Sequence, residues 1–135
     1  MSAPIKLNEL SNQALAYLGD SVLELLVREH LVRAGLSTAA HLNAAARDYV
    51  TAARQAEAME RLTAHLSEEE MAIYRRGRNN IHANVPKSAT MGQYRAATGM
   101  ECLFGALYLR GSMDRARELF SLAYPGEVAA PAEIR

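Results

Sequence analysis

Apolar residues recur at helical spacing along most of the chain, and no stretch alternates apolar and polar as a half-buried strand would. In "LAYLGDSVLELL", residues 15–26, Leu15, Leu18, Val22, Leu25 and Leu26 form such a series, which predicts a helix with one face in a core. That helix should run from about Ser11 to Ala34, with Asn8 or Ser11 as N-cap and Gly35 past its end. Residues 37–66 are rich in Ala and other strong helix formers, and read as one long helix or as two broken near Asp48. Ser67 with Glu70 makes a capping box for a shorter helix through Tyr74 and Arg76. From Gly77 to Ala89, three Asn and Pro86 predict a loop. Thr90 with Gln93 is a second capping box, opening a helix to about Arg110. Gly111 ends it, Ser112 can cap the next, and "MDRARELFSLAY" forms a last helix before Pro125 and Gly126. The expected architecture is an all-α bundle of five to seven helices, a single domain with its core at about 8–124 and a frayed tail at 125–135.

Composition narrows the class. The chain has 135 residues, half of them hydrophobic and 22% charged, enough to bury a core and too apolar for a disordered chain. Cys102 stands alone, which excludes a disulfide framework and a cysteine-rich zinc site and fits a reducing, cytoplasmic setting. "MSAPIKLNEL" lacks the apolar stretch of a secretory signal, and no run approaches the roughly 18 apolar residues of a membrane span.

Charge changes the picture more. The net charge is zero, yet between Met71 and Met100 there is no acid, while Arg75, Arg76, Arg78, Lys87 and Arg95 all fall there. That segment is +5 and the remainder −5. "RRGRNN" sets its cations beside Gly and Asn rather than acidic partners, so it reads as a patch for an anion. The plainer alternative is a solvated loop.

Two acids stand in the wrong places for a core. Asp20 follows Gly19 at the centre of the first apolar helix. Glu101 repeats the oddity in "ATGMECLFGALYLRG", among Met100, Leu103, Phe104, Leu107 and Tyr108. Gly99, Gly105 and Ala106 would let another helix approach closely, which suggests that the two helices cross and their carboxylates meet. Two ionised carboxylates in contact raise one another's pKa. Mg²⁺, a hard cation that takes carboxylate oxygens, would resolve the conflict; an Arg partner or a shared proton would do so too. Glu24, one turn beyond Asp20, reads as a surface charge, with a third ligand the alternative. His30, His41, His65 and His82 lack metal-ligand spacing, and Cys102 reads as a small core residue.

These stretches resemble a known family. "NQALAYLGDSVLE" is similar to the signature of ribonuclease III, and "TGMECLFGALYL" to its second acidic motif. "RRGRNN", "VPK" and "YRAATG" resemble the Mini-III branch, which lacks a double-stranded-RNA-binding domain. The likeness spans about Asn8 to Tyr124. It implies a ribonuclease III-like endonuclease-domain bundle, a homodimer that cleaves double-stranded RNA with Mg²⁺ (Mn²⁺ substituting) to 5′-phosphate and 3′-hydroxyl ends. The implied substrate is precursor large-subunit (23S) ribosomal RNA. By motif, Asp20 and Glu101 become the catalytic and metal-binding acids, and Tyr17 the aromatic that packs across the dimer interface. Arg75, Arg76, Arg78, Asn79, Asn80, His82, Lys87 and Arg95 are then the expected RNA contacts.

The chain departs from the full-length pattern at three acidic positions, where it has Gln13, Ala16 and Thr98. Two alternatives follow: a catalytically inactive, ribonuclease III-like RNA-binding scaffold in ribosome assembly, and a helical adaptor whose basic loop meets an acidic protein.

Overall fold

The computed structural model describes residues 4–79, 89–127 and 133–135. Among these it contains six α-helices and no strand: α1 (Asn12–Arg33), α2 (Ala39–Tyr49), α3 (Ala52–Leu62), α4 (Glu68–Asn79), α5 (Met91–Leu109) and α6 (Met113–Ala123). The Ala-rich stretch is therefore two helices, and Thr51 separates them by accepting a hydrogen bond from Arg54 N. Ser11 caps α1 through Ala14 N, and both capping boxes form, Ser67 with Glu70 and Thr90 with Gln93. Gly35 and Gly111 adopt the left-handed conformations that end α1 and α5. Ser112 precedes α6 but makes no side-chain cap, contrary to expectation.

Helix α5 is the hub. It packs on α1, α3 and α4, and its residues from Ala96 to Leu107 are buried on nearly every side. Leu103 and Phe104 are wholly enclosed, joining Leu23, Val27, Met59, Leu62 and Leu119 in the main core. A smaller cluster of Leu15, Cys102 and Ala106 sits towards the start of α1. Leu25, expected on the buried face, is 54% exposed. Among the described residues, none covers more than about half of it.

Gly77 also departs from expectation. Rather than opening a loop, it lies buried inside α4, which continues to Asn79. A Cβ there would stand 2.7 Å from Cys102 Sγ, and one on Gly99 would stand 2.6 Å from the Tyr74 ring. The two glycines bring α4 close onto α5, a packing reason for a residue that punctuates most sequences as a turn.

A buried ion pair fixes the start of α4. Glu70, in the first turn, accepts from Arg115 of α6 through both carboxylate oxygens (2.9 and 2.8 Å) and from Ser67 N. Arg115 hydrogen bonding and then Ser67 hold its carboxyl below the usual range against the cost of burial. Arg115→Ala leaves that carboxylate buried without a countercharge and should cost about 2 kcal/mol in urea unfolding. Because the folded pKa is depressed, this stability is present above the unfolded value and lost as pH falls through the folded one. The variant should therefore show a flatter acid limb below about pH 4.5. Equal losses at pH 3 and pH 7 would refute the assignment.

Candidate active site

Asp20 and Glu101 meet where α1 crosses α5. The crossing is unusually close because glycine faces backbone from both sides. A Cβ on Gly19 would overlap the Glu101 carbonyl oxygen and lie 2.5 Å from its carbonyl carbon. A Cβ on Gly105 would overlap the Leu15 carbonyl oxygen and lie 3.1 Å from Gly19 N. Such contact between main chains leaves no room for an intervening side chain, so the acids beside the glycines are driven together.

The electrostatics follow from that placement. Asp20 is exposed, whereas Glu101 is partly buried. Burial first, then the Asp20 charge and a hydrogen bond to Asp20, push the Glu101 carboxyl up to about 8. Among the described residues no Lys, Arg or His makes an ion pair with either acid. Burial and the neighbouring Asp20 both favour the protonated form of the Glu101 carboxyl. A group that holds its proton near neutral pH and faces an exposed carboxylate is poised to exchange that proton for a cation. The donor set, two hard carboxylate oxygens open to solvent on one side, suits a divalent ion of the Mg²⁺ type. Among the described residues no third His, Cys, Asp or Glu joins them. Glu24 is turned to solvent and paired with Arg28 at 2.6 Å. Cys102, next to Glu101, is fully buried, and burial pushes its thiol up to about 11, so it serves packing rather than chemistry.

The expected RNA contacts divide. Arg75 and Asn79 at the end of α4 and Arg95 near the start of α5 are exposed. Arg78 lies over the Tyr74 ring, 5.5 Å from its centroid, and donates to Asn79 Oδ1 at 3.2 Å. Asn80, His82 and Lys87 lie outside the described residues. Arg76 differs from its neighbours. Its guanidinium turns inward and donates to Asn12 Oδ1, Leu10 O and Leu7 O. Three of its five N–H groups are thus committed to protein oxygens, which holds the guanidinium towards the turn before α1. Tyr17, three residues before Asp20 on α1, is 84% exposed.

Sequence reasoning passed over Asn12, the partner of Arg76. The signal was present: Asn12 lies three residues before Leu15 and so on the apolar stripe of α1, and it is indeed buried.

Comparison with known proteins identifies the family. The Ribonuclease III domain model matches residues 13–112, which include both acids. The Mini-ribonuclease 3 of Symbiobacterium thermophilum is 42% identical over 109 residues, spanning 81% of this chain and 84% of that protein. The Mini-ribonuclease 3 of Enterococcus faecalis is 39% identical over 115 residues, 84% of this chain and 87% of its own. A crystal structure from Fusobacterium nucleatum superposes with a TM-score of 0.78 at 28% identity, covering 86% of this chain and 94% of that one. The chain belongs to the ribonuclease III family, in its Mini-ribonuclease 3 branch, and is a double-strand-specific endoribonuclease.

Proposed function

We propose that Asp20 and Glu101 hold a divalent ion, Mg²⁺ with Mn²⁺ as substitute, and that the chain cuts RNA duplexes to 5′-phosphate and 3′-hydroxyl ends. The observation that carries this reading is the pair itself: two carboxyls brought together by a glycine crossing, with no ion pair to either among the described residues. When bound, such an ion supplies Lewis acidity for phosphodiester hydrolysis. Because burial and Asp20 raise the Glu101 carboxyl, such an ion would bind there in competition with a proton. The crossing then holds both acids in one place without further reorganisation.

Duplex binding falls to cations at the end of α4 and near the start of α5. Arg75, Arg78 and Arg95 would meet phosphates, with Asn79 reaching a sugar, since an A-form helix is read through its backbone and shallow minor groove. Lys87, Asn80 and His82 extend the same set. Tyr17, Leu25 and Val32 leave apolar surface uncovered along α1, which supports a homodimer with Tyr17 in its interface and one carboxyl pair for each RNA strand. The single-domain reading and cytoplasmic localisation accord with the bundle. Among the described residues, no helix is long and apolar enough to cross a membrane. Precursor 23S ribosomal RNA is the substrate that the resemblance to the short branch favours.

The test is a gel assay of purified protein on a long RNA duplex and on the separated strands, with Mg²⁺ or with EDTA. Cleavage of the duplex in Mg²⁺ alone is the expected result. Salt-sensitive duplex binding with no cleavage in any divalent ion would instead identify the inactive RNA-binding scaffold.

A further inference from the structure

We infer that Arg76 is a positioning residue, a knot that fixes the RNA-gripping end of α4 against the two helices carrying the carboxyls. This role rests on the duplex-cleaving function proposed above. All three guanidinium nitrogens of Arg76 donate to protein oxygens, Nε to Asn12 Oδ1, Nη2 to Leu10 O and Nη1 to Leu7 O, the last at 3.5 Å. Asn12 answers by donating from Nδ2 to Arg76 O at 3.4 Å. The Asn12 carbonyl in turn accepts from Cys102 Sγ at 3.3 Å. One side chain therefore joins the turn before α1, the first residue of α1, the end of α4 and, through Asn12 and Cys102, the position next to Glu101.

The connection has a geometric consequence. Asn12 and Asp20 share a helix and lie eight residues apart, about 12 Å along its axis. Arg75, Arg78 and Asn79 flank Arg76 within one turn of α4. Anything that loosens Arg76 lets the cations that grip the duplex shift relative to the carboxyls that act on it. A small misplacement of a bound substrate is enough to cost a large part of the rate. Asn12 is 9% exposed, so its amide has little water to fall back on once Arg76 is gone.

A phosphate contact and a positioning knot respond differently to the same substitutions. The variants are Arg76→Met, Arg76→Lys, Asn12→Ala and the double variant Arg76→Met with Asn12→Ala, beside Arg75→Ala as a phosphate-contact control. Two quantities are read on an RNA duplex: the dependence of binding on salt in EDTA, and the single-turnover cleavage rate in Mg²⁺ at saturating protein. Arg75→Ala should make the log–log salt slope shallower by about one. Arg76→Met should leave that slope unchanged and slow cleavage at saturation by roughly tenfold or more. Arg76→Lys should be as slow as Arg76→Met, because an ammonium cannot bridge three acceptors in a plane, whereas a plain phosphate contact would tolerate Lys. Asn12→Ala should reproduce the defect, and the double variant should be no slower than either single one.

A slope made shallower by Arg76→Met, with Arg76→Lys at the wild-type rate, would overturn the role and return Arg76 to the phosphate contacts. If Arg76→Met does not fold, Arg76→Lys and Asn12→Ala still decide: wild-type saturating rates in both overturn the role. Wild-type protein that binds but never cuts the duplex would overturn the nuclease reading, and this role with it.

Discussion

Replacing Glu101 by Gln is expected to abolish duplex cleavage and, in EDTA, to leave a protein more stable at pH 9 than the wild type. The first effect follows from losing one of the two carboxylates proposed to hold the divalent ion. Lewis-acid assistance is worth several kcal/mol of transition-state stabilisation, on the order of 10³ in rate. Duplex binding in EDTA should persist, because Arg75, Arg78 and Arg95 are untouched. The second effect follows from the Glu101 carboxyl, raised to about 8 by burial and by Asp20. Its folded value lies above the ordinary carboxyl value of about 4.3. Between these values the folded protein holds a proton that the unfolded chain has released, so stability falls as pH rises from the unfolded value to the folded one and levels off above it. Gln cannot ionise and escapes that loss. The difference should be small at pH 5 and about 2 kcal/mol at pH 9, worth several degrees in a thermal melt. Mg²⁺ should then stabilise the wild type increasingly with pH and leave Glu101→Gln unmoved. Parallel melting curves for the two proteins from pH 5 to 9 would mean that the carboxyls do not share a site.

Local rules made much of the frame legible. Ser11, the two capping boxes and the left-handed glycines act within four residues of themselves, so the sequence around each suffices to place a helix end. The meeting of Asp20 and Glu101 was legible for a different reason: a glycine beside an acid, repeated on two apolar helices, has few structural explanations other than a crossing. What local rules left out at Gly77 and Arg76 has one cause, dependence on partners far along the chain. Gly77 looks like a turn until Cys102 and Gly99 occupy the space a Cβ would need. Arg76 looks like Arg75 and Arg78, and nothing nearby announces that the carbonyls of Leu7 and Leu10, more than sixty residues away, take two of its N–H groups. Leu25 shows the converse: its spacing names a sector of the helix, but only tertiary packing decides how far cover extends.

Gly19→Ala should destabilise the protein and remove its cleavage activity, although helix propensity alone argues the opposite. Gly in a helix interior costs about 1 kcal/mol relative to Ala, so at an uncrowded position the substitution stabilises. At Gly19 the added methyl would overlap the carbonyl oxygen of Glu101 and sit 3.0 Å from its Cα. These are main-chain atoms of a buried helix, and no side chain can swing aside to relieve the clash. Helix α1 must move away from α5, loosening the packing of Leu15 against Cys102 and Ala106. Overpacking of this kind costs about 3 kcal/mol, enough to outweigh the propensity gain. The same displacement separates Asp20 from Glu101, so a variant that still folds should bind duplex RNA yet cut it poorly at any Mg²⁺ concentration. Gly92 supplies the control within α5: a Cβ there would meet nothing nearer than Thr90 Oγ1 at 4.0 Å. Gly92→Ala should be neutral or stabilising by a few tenths of a kcal/mol. Urea unfolding of the two alanine variants therefore separates a crowded crossing from mere helix preference. Equal stability changes in both would deny that α1 and α5 touch backbone to backbone, and with it the reason the two carboxyls meet.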